Sequence, residues 1–271
     1  MTGGVPLVWV DAFGDGPFTG NPAAVCMLDR PADDAAMQAL AAELGLSETA
    51  FVWPHDGAFA LRWFTPSAEV ELCGHATVAT AHVLAEEGRL GGGRARFWTR
   101  SGWLEATVEA DQVEIDLPAE TPTPVEPPPA LAALWPVVRA ATGRFDLLVE
   151  LDDEEAVRRV DPGAVDLRTL PYRGIIVTAR GTPPTDYVLR FFAPRVGVPE
   201  DPVTGSAQCL LGPHWASALG TSELRAVQMS ARRGFLGVRV GAARVGVTGR
   251  AVTVLRGAVT GEAARGLSSG A

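Results

Sequence analysis

A chain that states the same strand–loop–glycine–helix phrase twice is committed to two related halves. Phe64-Thr65-Pro66 runs through an acidic stretch into Cys73-Gly74-His75-Ala76-Thr77, then a helical pattern ending at Gly88. Phe192-Ala193-Pro194 runs through another into Asp201-Pro202-Val203-Thr204-Gly205-Ser206-Ala207, then a second helical pattern ending at Gly220. In each copy a glycine stands where a helix begins. Such a start aims unpaired backbone N–H groups, and the positive end of the helix dipole, at whatever lies before it. Two of them facing one cleft would make an anion-binding site with polar side chains on both walls.

The 271 residues suit two lobes of about 100–150 residues better than one compact core. A net charge of −9 and a pI near 5.0 argue against nucleic acid or an anionic membrane as partner. No uninterrupted apolar run approaches ~18 residues, so no membrane span is expected. Met1-Thr2-Gly3-Gly4 lacks the basic and apolar blocks of a signal peptide. The cysteines, Cys26, Cys73 and Cys209, are odd in number and scattered, which fits a reducing compartment. A soluble cytoplasmic protein is the expectation. The sequence contains no lysine, which removes Schiff-base chemistry and the lysine of a phosphate-binding loop. No Gly-x-Gly-x-x-Gly follows a strand, and nothing asks for an organic cofactor.

Alternation predicts strands at Leu7–Val10, Pro22–Leu28, Thr49–Trp53, Phe59–Phe64, Arg94–Thr99, Leu104–Glu109 and Val113–Leu117. Asp33 can cap a helix whose apolar positions Ala36, Met37, Leu40, Ala41 and Leu44 keep helical spacing, with Gly45 ending it. Residues 118–129 hold six prolines, which places a boundary there and a first lobe at residues 1–118. The second lobe, residues 119–258, repeats the plan. Its strands are expected at Asp146–Leu151, Gly174–Thr178, Val188–Phe192, Arg225–Met229, Leu236–Val240, Arg244–Thr248 and Ala251–Leu255, with a short helix near Glu154–Val160. Residues 259–271 read as a tail, fraying at Ser268-Ser269-Gly270-Ala271. The expected class is α+β: two pseudo-symmetric lobes, each a curled, mostly antiparallel sheet around a central helix.

Glu48 follows the Gly45 helix stop and shares a strand face with Ala50 and Val52. Partial burial there would raise its carboxyl toward values useful for moving protons; the bland alternative is a solvated acid at a strand start. His75 sits at the first helix tip, where it either meets a substrate or caps the helix, and where the dipole favours its neutral form. Asp201 and Ser206 flank Gly205, and Ser206 alone reads as a helix cap. Symmetry raises both, because they occupy the station that Cys73 and His75 hold in the first copy. His75 and His82 share a helix face about 10 Å apart, too far for one ion, and no other group has ligand spacing, so no metal is expected. A two-thiol racemase needs a cysteine at each helix tip; Cys209 falls about one turn inside the second helix.

Val10-Asp11-Ala12-Phe13, Pro17-Phe18-Thr19-Gly20-Asn21-Pro22-Ala23-Ala24-Val25, Leu46-Ser47-Glu48-Thr49-Ala50-Phe51 and the two helix-tip phrases together resemble the PhzF-like family of phenazine biosynthesis. The resemblance spans nearly the whole chain. It implies a fold similar to diaminopimelate epimerase, with an active site between two related lobes, and proton transfer without a cofactor. It places the proton-carrying glutamate on Glu48 and the supporting polar residues on His75, Asp201 and Ser206. Substrate-binding positions fall on Gly74, Ala76, Thr204 and Gly205, whose neighbouring N–H groups would hold a substrate carboxylate. The phenazine isomerases carry alanine before the glycine–histidine pair and proline after it, where this chain has Cys73 and Ala76. The implied chemistry is therefore firmer than the implied substrate. The resulting expectation is an isomerase that shifts a proton and a double bond in a small carboxylate-bearing metabolite of natural-product or antibiotic biosynthesis. It is expected to work without metal or cofactor, plausibly as a homodimer. The rivals are an epimerase or lyase starting from the same deprotonation, and a binding protein on an inherited enzyme fold.

Overall fold

The computed structural model describes residues 4–268. Within them the chain forms two compact units: one ends at Asp116 and resumes at Gly249, and the other is Leu117–Thr248. The first holds β1 (Val5–Ala12), β2 (Asn21–Met27), α1 (Asp34–Leu44), β3 (Glu48–His55), β4 (Ala58–Phe64), β5 (Glu69–Val70), α2 (Gly74–Glu86), β6 (Arg94–Thr99) and β7 (Gly102–Glu109). The chain leaves this unit within β8 (Gln112–Pro118). The second unit continues with β9 (Thr123–Val125), α3 (Pro129–Ala132), β10 (Val137–Thr142), β11 (Asp146–Leu151), α4 (Glu154–Arg159), β12 (Gly174–Arg180) and β13 (Tyr187–Ala193). It closes with β14 (Val198–Asp201), α5 (Gln208–Leu219), β15 (Glu223–Gln228), β16 (Gly234–Val240) and the first residues of β17 (Arg244–Val259). The rest of β17 and α6 (Gly261–Ser268) belong to the first unit.

The sheet is mixed. In the first unit β1 pairs antiparallel with β2, β2 parallel with β3 across α1, β3 antiparallel with β4, and β4 parallel with β6, which continues antiparallel through β7 to β8. In the second unit the same order recurs from β10: antiparallel to β11, parallel to β12 across α4, antiparallel to β13, parallel to β15, then antiparallel through β16 to β17.

Local chemistry explains the elements that carry the site. Asp33 accepts from the Ala35 and Ala36 amides and starts α1, while Gly45, at φ 63°, ends it and turns the chain toward Glu48. Helix α2 is apolar on nearly every face, and its residues from Gly74 to Leu84 are buried except His82. Its buried hydroxyls satisfy themselves on the preceding turn: Thr77 on Cys73 O at 2.6 Å and Thr80 on Ala76 O at 2.7 Å. Pro213 inside α5 has no N–H for the Cys209 carbonyl, and the Glu120 amide donates to that carbonyl instead at 2.8 Å.

Three expectations are corrected. The unit boundary falls at 116/117, and the proline-rich stretch belongs to the second unit, where Thr123–Val125 pairs with β10. Residues 249–268 belong to neither a second lobe nor a tail: β17 pairs with β1 from Ala251 to Val259, and α6 follows with Ala264 and Leu267 buried. Arg244–Thr248 and Ala251–Leu255 are one strand, because Gly249 serves close packing: a Cβ there would strike the Phe13 ring. The fraying expected at Ser269, Gly270 and Ala271 lies outside the described residues; Ser268 closes α6.

Gly20 introduces Asn21 at φ 71°, and a Cβ at that position would collide with the Ala12 carbonyl and the Gly14 amide. Both the conformation and the space demand glycine. Gly20→Ala is expected to cost roughly 1–3 kcal/mol. A thermal melt indistinguishable from the parent would show that the loop relaxes instead.

Candidate active site

The first unit assembles a polar cluster from three sequence-distant stations. Asn21 opens β2, Glu48 opens β3 beside it in parallel register, and His75 is the second residue of α2. His75 Nε2 lies 3.2 Å from Glu48 Oε2, and His75 Nδ1 lies 3.1 Å from Asn21 Nδ2. The Ser47 hydroxyl donates to Asn21 Oδ1 at 3.0 Å, which orients the amide with its NH₂ toward the ring. In that arrangement Nδ1 accepts, and the proton of a neutral imidazole stands on Nε2, facing Glu48. Although it lies this close to the ring, Glu48 Oε2 is buried and has no hydrogen-bond partner. The side chain of Glu48 retains 15% exposure and that of His75 only 5%.

Cys73 precedes α2 in extended geometry and makes no side-chain cap. Its sulfur instead lies 3.6 Å from His75 Nδ1 and 4.0 Å from Nε2. Burial, then the Glu48 charge, push the thiol up, against a smaller pull from His75 and from the Ala76 amide on the sulfur. Burial also opposes a charged His75, but Cys73 and Glu48 outweigh it and lift the imidazole well above its ordinary value. This reverses the expectation that the helix dipole keeps His75 neutral. Taking up the second proton requires Asn21 to turn its amide, offering Oδ1 to Nδ1 and its NH₂ to Ser47 Oγ. Glu48, Cys73 and His75 present ligand atoms within 4.8 Å of one another. Sequence spacing hid this grouping, since Glu48 comes from a different strand. His82 is engaged elsewhere, with Thr253 Oγ1 at 3.1 Å and Glu86 Oε2 at 3.4 Å.

The second unit builds the other station. Asp201 ends β14, and Gly205 opens a single 3₁₀ turn, Gly205–Ala207, that leads into α5. Thr204 donates its hydroxyl to Asp201 Oδ2 at 2.5 Å and its amide to Gln228 Oε1 at 2.8 Å. Gln228 Nε2 in turn donates to Asp201 O at 2.8 Å and to Thr204 Oγ1 at 3.3 Å. Gln208 Nε2 reaches Thr204 O at 3.4 Å and is itself held by Tyr187, while Ser230 Oγ donates to Pro202 O at 2.7 Å. Ser206 stands inside the 3₁₀ turn and occupies the cap position of neither that turn nor α5, so the capping role does not apply.

Sequence reasoning missed Asn21, Gln228 and Gln208 as organising residues. A lone amide on a strand or helix gives no signal until its distant partners are known. The acidic residues of the repeated phrase, by contrast, have structural duties. Glu69 pairs with Arg62 and Arg100, each at 2.6 Å, and Glu200 pairs with Arg190 at 2.8 Å.

The other two thiols are inert by environment. Burial pushes both Cys26 and Cys209 up to about 12. Since the thiolate is the reactive form, native protein at pH 7.5 is expected to react slowly with a thiol reagent. All three cysteines should label quickly in denaturant. Fast stoichiometric labelling of the native chain would contradict the burial described here.

A mixed sheet here sets the Glu48 carboxylate against His75 at a helix start. The chain belongs to the PhzC-PhzF family, whose model, described as phenazine biosynthesis-like protein, matches residues 10–257. It is 49% identical over 252 residues to an uncharacterized isomerase of Pseudomonas aeruginosa, covering 92% of this chain and 96% of that one. A solved PhzF-family protein of Enterococcus faecalis superposes with a TM-score of 0.90 at 39% identity, covering 95% of this chain and 100% of the other. A probable proline racemase of Agrobacterium radiobacter shares the fold alone, with a TM-score of 0.62 at 13% identity over 94% of this chain and 93% of that one. This chain is thus an isomerase of the phenazine biosynthesis-like family. Among the described residues no helix is long and apolar enough to cross a membrane.

Proposed function

We propose that the chain moves a proton, and with it a double bond, within a small carboxylate-bearing metabolite of natural-product biosynthesis, without a cofactor. The observation that carries this reading is the Glu48 carboxylate: Oε2 is buried, lacks a hydrogen bond, and stands 3.2 Å from His75 Nε2. Such an oxygen keeps a lone pair for a substrate proton. Glu48 takes that proton from one carbon and returns it to another carbon on the same face, so mass is conserved and only bond positions change. His75 stays close to the carboxylate through both transfers and is steadied from behind by Asn21 and Ser47. The amide at Gly74, at the start of α2, holds the substrate carboxylate and the charge that develops on deprotonation. Asp201 and Ser206 orient and polarise the substrate, with Ala76 and Thr204 shaping the two stations. The finer reading of the fold, as a duplicated two-lobe α+β unit, is supported by the recurring strand-pairing order.

The test is proton exchange in D₂O, followed by mass spectrometry and NMR, on a panel of unsaturated amino and hydroxy acids. Deuterium uptake with a moved double bond supports the isomerase. Uptake at a stereocentre without bond movement would replace it with an epimerase, and loss of a substrate fragment with a lyase. Saturable binding without exchange would favour a binding protein.

A further inference from the structure

We propose that Glu48, Cys73 and His75 capture a borderline-soft divalent cation of the zinc class, and that capture switches the proton-transfer site off. The capture stands on geometry alone; its inhibitory consequence rests on the isomerase reading above. Among the described residues, these three side chains offer one carboxylate oxygen, one thiol sulfur and one imidazole nitrogen within 4.8 Å of one another. His75 Nε2 lies 3.2 Å from Glu48 Oε2 and 4.0 Å from Cys73 Sγ. Tetrahedral zinc, with bonds of about 2.0–2.3 Å, separates its ligand atoms by roughly 3.3–3.7 Å. The His75 nitrogen is within a few tenths of an ångström of ligand spacing from both partners, and the Glu48 oxygen and Cys73 sulfur, within 4.8 Å, reach it by side-chain shifts of up to about 1 Å.

The donor set selects the ion. Sulfur, nitrogen and oxygen together suit zinc or cobalt, whereas magnesium and calcium require a mostly oxygen shell. Charge also balances. The Cys73 S–H and the His75 Nε2–H bonds break, a metal–sulfur and a metal–nitrogen bond form, and the protons released leave to solvent apart from the one the ring keeps on Nδ1. The resulting thiolate and the carboxylate then neutralise the two positive charges and offset the positive end of α2. With Nε2 on the metal, the ring proton sits on Nδ1, where Asn21, 3.1 Å away, accepts it once its amide has turned. A hydrogen-bonded imidazole of this kind is the usual outer support of a metal-bound histidine. Of the Glu48 and His75 side chains, that of Glu48 is the more exposed, at 15% against 5%, so an incoming ion meets the cluster from the Glu48 side. Glu48 is the proposed proton carrier, and a bound cation would occupy the lone pair it needs.

Full-length protein stripped with EDTA would be titrated with Co²⁺ and followed by absorption. The expected result is a near-ultraviolet thiolate-to-cobalt band with intense visible bands of tetrahedral cobalt, both erased by Zn²⁺. Cys73→Ser should abolish the near-ultraviolet band, with Cys73→Ala standing in should the serine variant misfold. Asn21→Ala should keep the band while weakening affinity about 10–100-fold. No band in the wild type at millimolar Co²⁺, or a band that survives loss of the Cys73 thiol, overturns the capture. Where turnover is measurable, Zn²⁺ should suppress it and EDTA restore it; full turnover with the site saturated overturns the inhibition. Should no substrate turn over at all, the cobalt spectrum still decides the capture, so the two readings fail separately.

Discussion

Glu48→Gln is expected to lower turnover by roughly 10³-fold, within the 10²–10⁴ range of a positioned general acid–base. The amide keeps the shape of the carboxyl and its place beside His75, so the fold and substrate affinity should persist. What it loses is the lone pair that binds a proton. The measurement is kcat for double-bond movement and for deuterium incorporation, with KM and a thermal melt recorded on the same protein. A fall in kcat at nearly constant KM identifies a group acting in the transition state. Retention of more than about a tenth of the rate would remove Glu48 from the chemistry. An equal loss of folded protein would instead make it a structural residue.

The second large effect is expected at Gln228, which never touches substrate in this reading. Its fully buried amide ties the Thr204 N–H, the Thr204 hydroxyl and the Asp201 carbonyl into one knot. Gln228→Ala strands a buried donor and a buried acceptor at once, at a cost of about 2–4 kcal/mol. In a chain of this size that lowers Tm on the order of 5–10 °C. Turnover should fall as well, because the same knot fixes Asp201 and the approach to Gly205. Ser230→Ala, which deletes the bond to Pro202 O and the longer one the same hydroxyl accepts from the Arg233 amide, is the milder comparison at about 1–2 kcal/mol. Equal melting temperatures for Gln228→Ala and the parent would mean the loop is held by other contacts.

The repeated phrase made much of this molecule legible in advance. Strands such as Arg94–Thr99 and Asp146–Leu151 fall where alternation put them, and α1 starts and stops on Asp33 and Gly45. Helix starts are local events, written in a few adjacent residues, so Gly74 could be read directly, whereas Gly205 opens only a 3₁₀ turn and α5 begins three residues later, at Gln208. Long-range hydrogen bonds could not. Nothing near Asn21 announces that its amide will meet His75, fifty-four residues on, and nothing near Gln228 points to Thr204. The two strands expected at Arg244–Thr248 and Ala251–Leu255 proved to be one, with Gly249 inside it. In isolation that glycine reads as a strand break, and only the Phe13 ring packed against it explains the missing side chain. Metal-ligand spacing along the sequence was equally silent, because Glu48 joins Cys73 and His75 through tertiary packing.

The passage of the chain from one unit to the other inside β8, and back inside β17, has a consequence for biosynthesis. Strand β1 emerges early from the ribosome, yet its partner, Ala251–Val259, emerges only after the whole second unit. Until then β1 carries an open edge opposite its β2 side, of the kind that invites pairing with a neighbouring chain. The second unit is contiguous and free to condense first. The first-made unit is therefore completed only after the second, and its open edge stays exposed for as long as the second unit is being made.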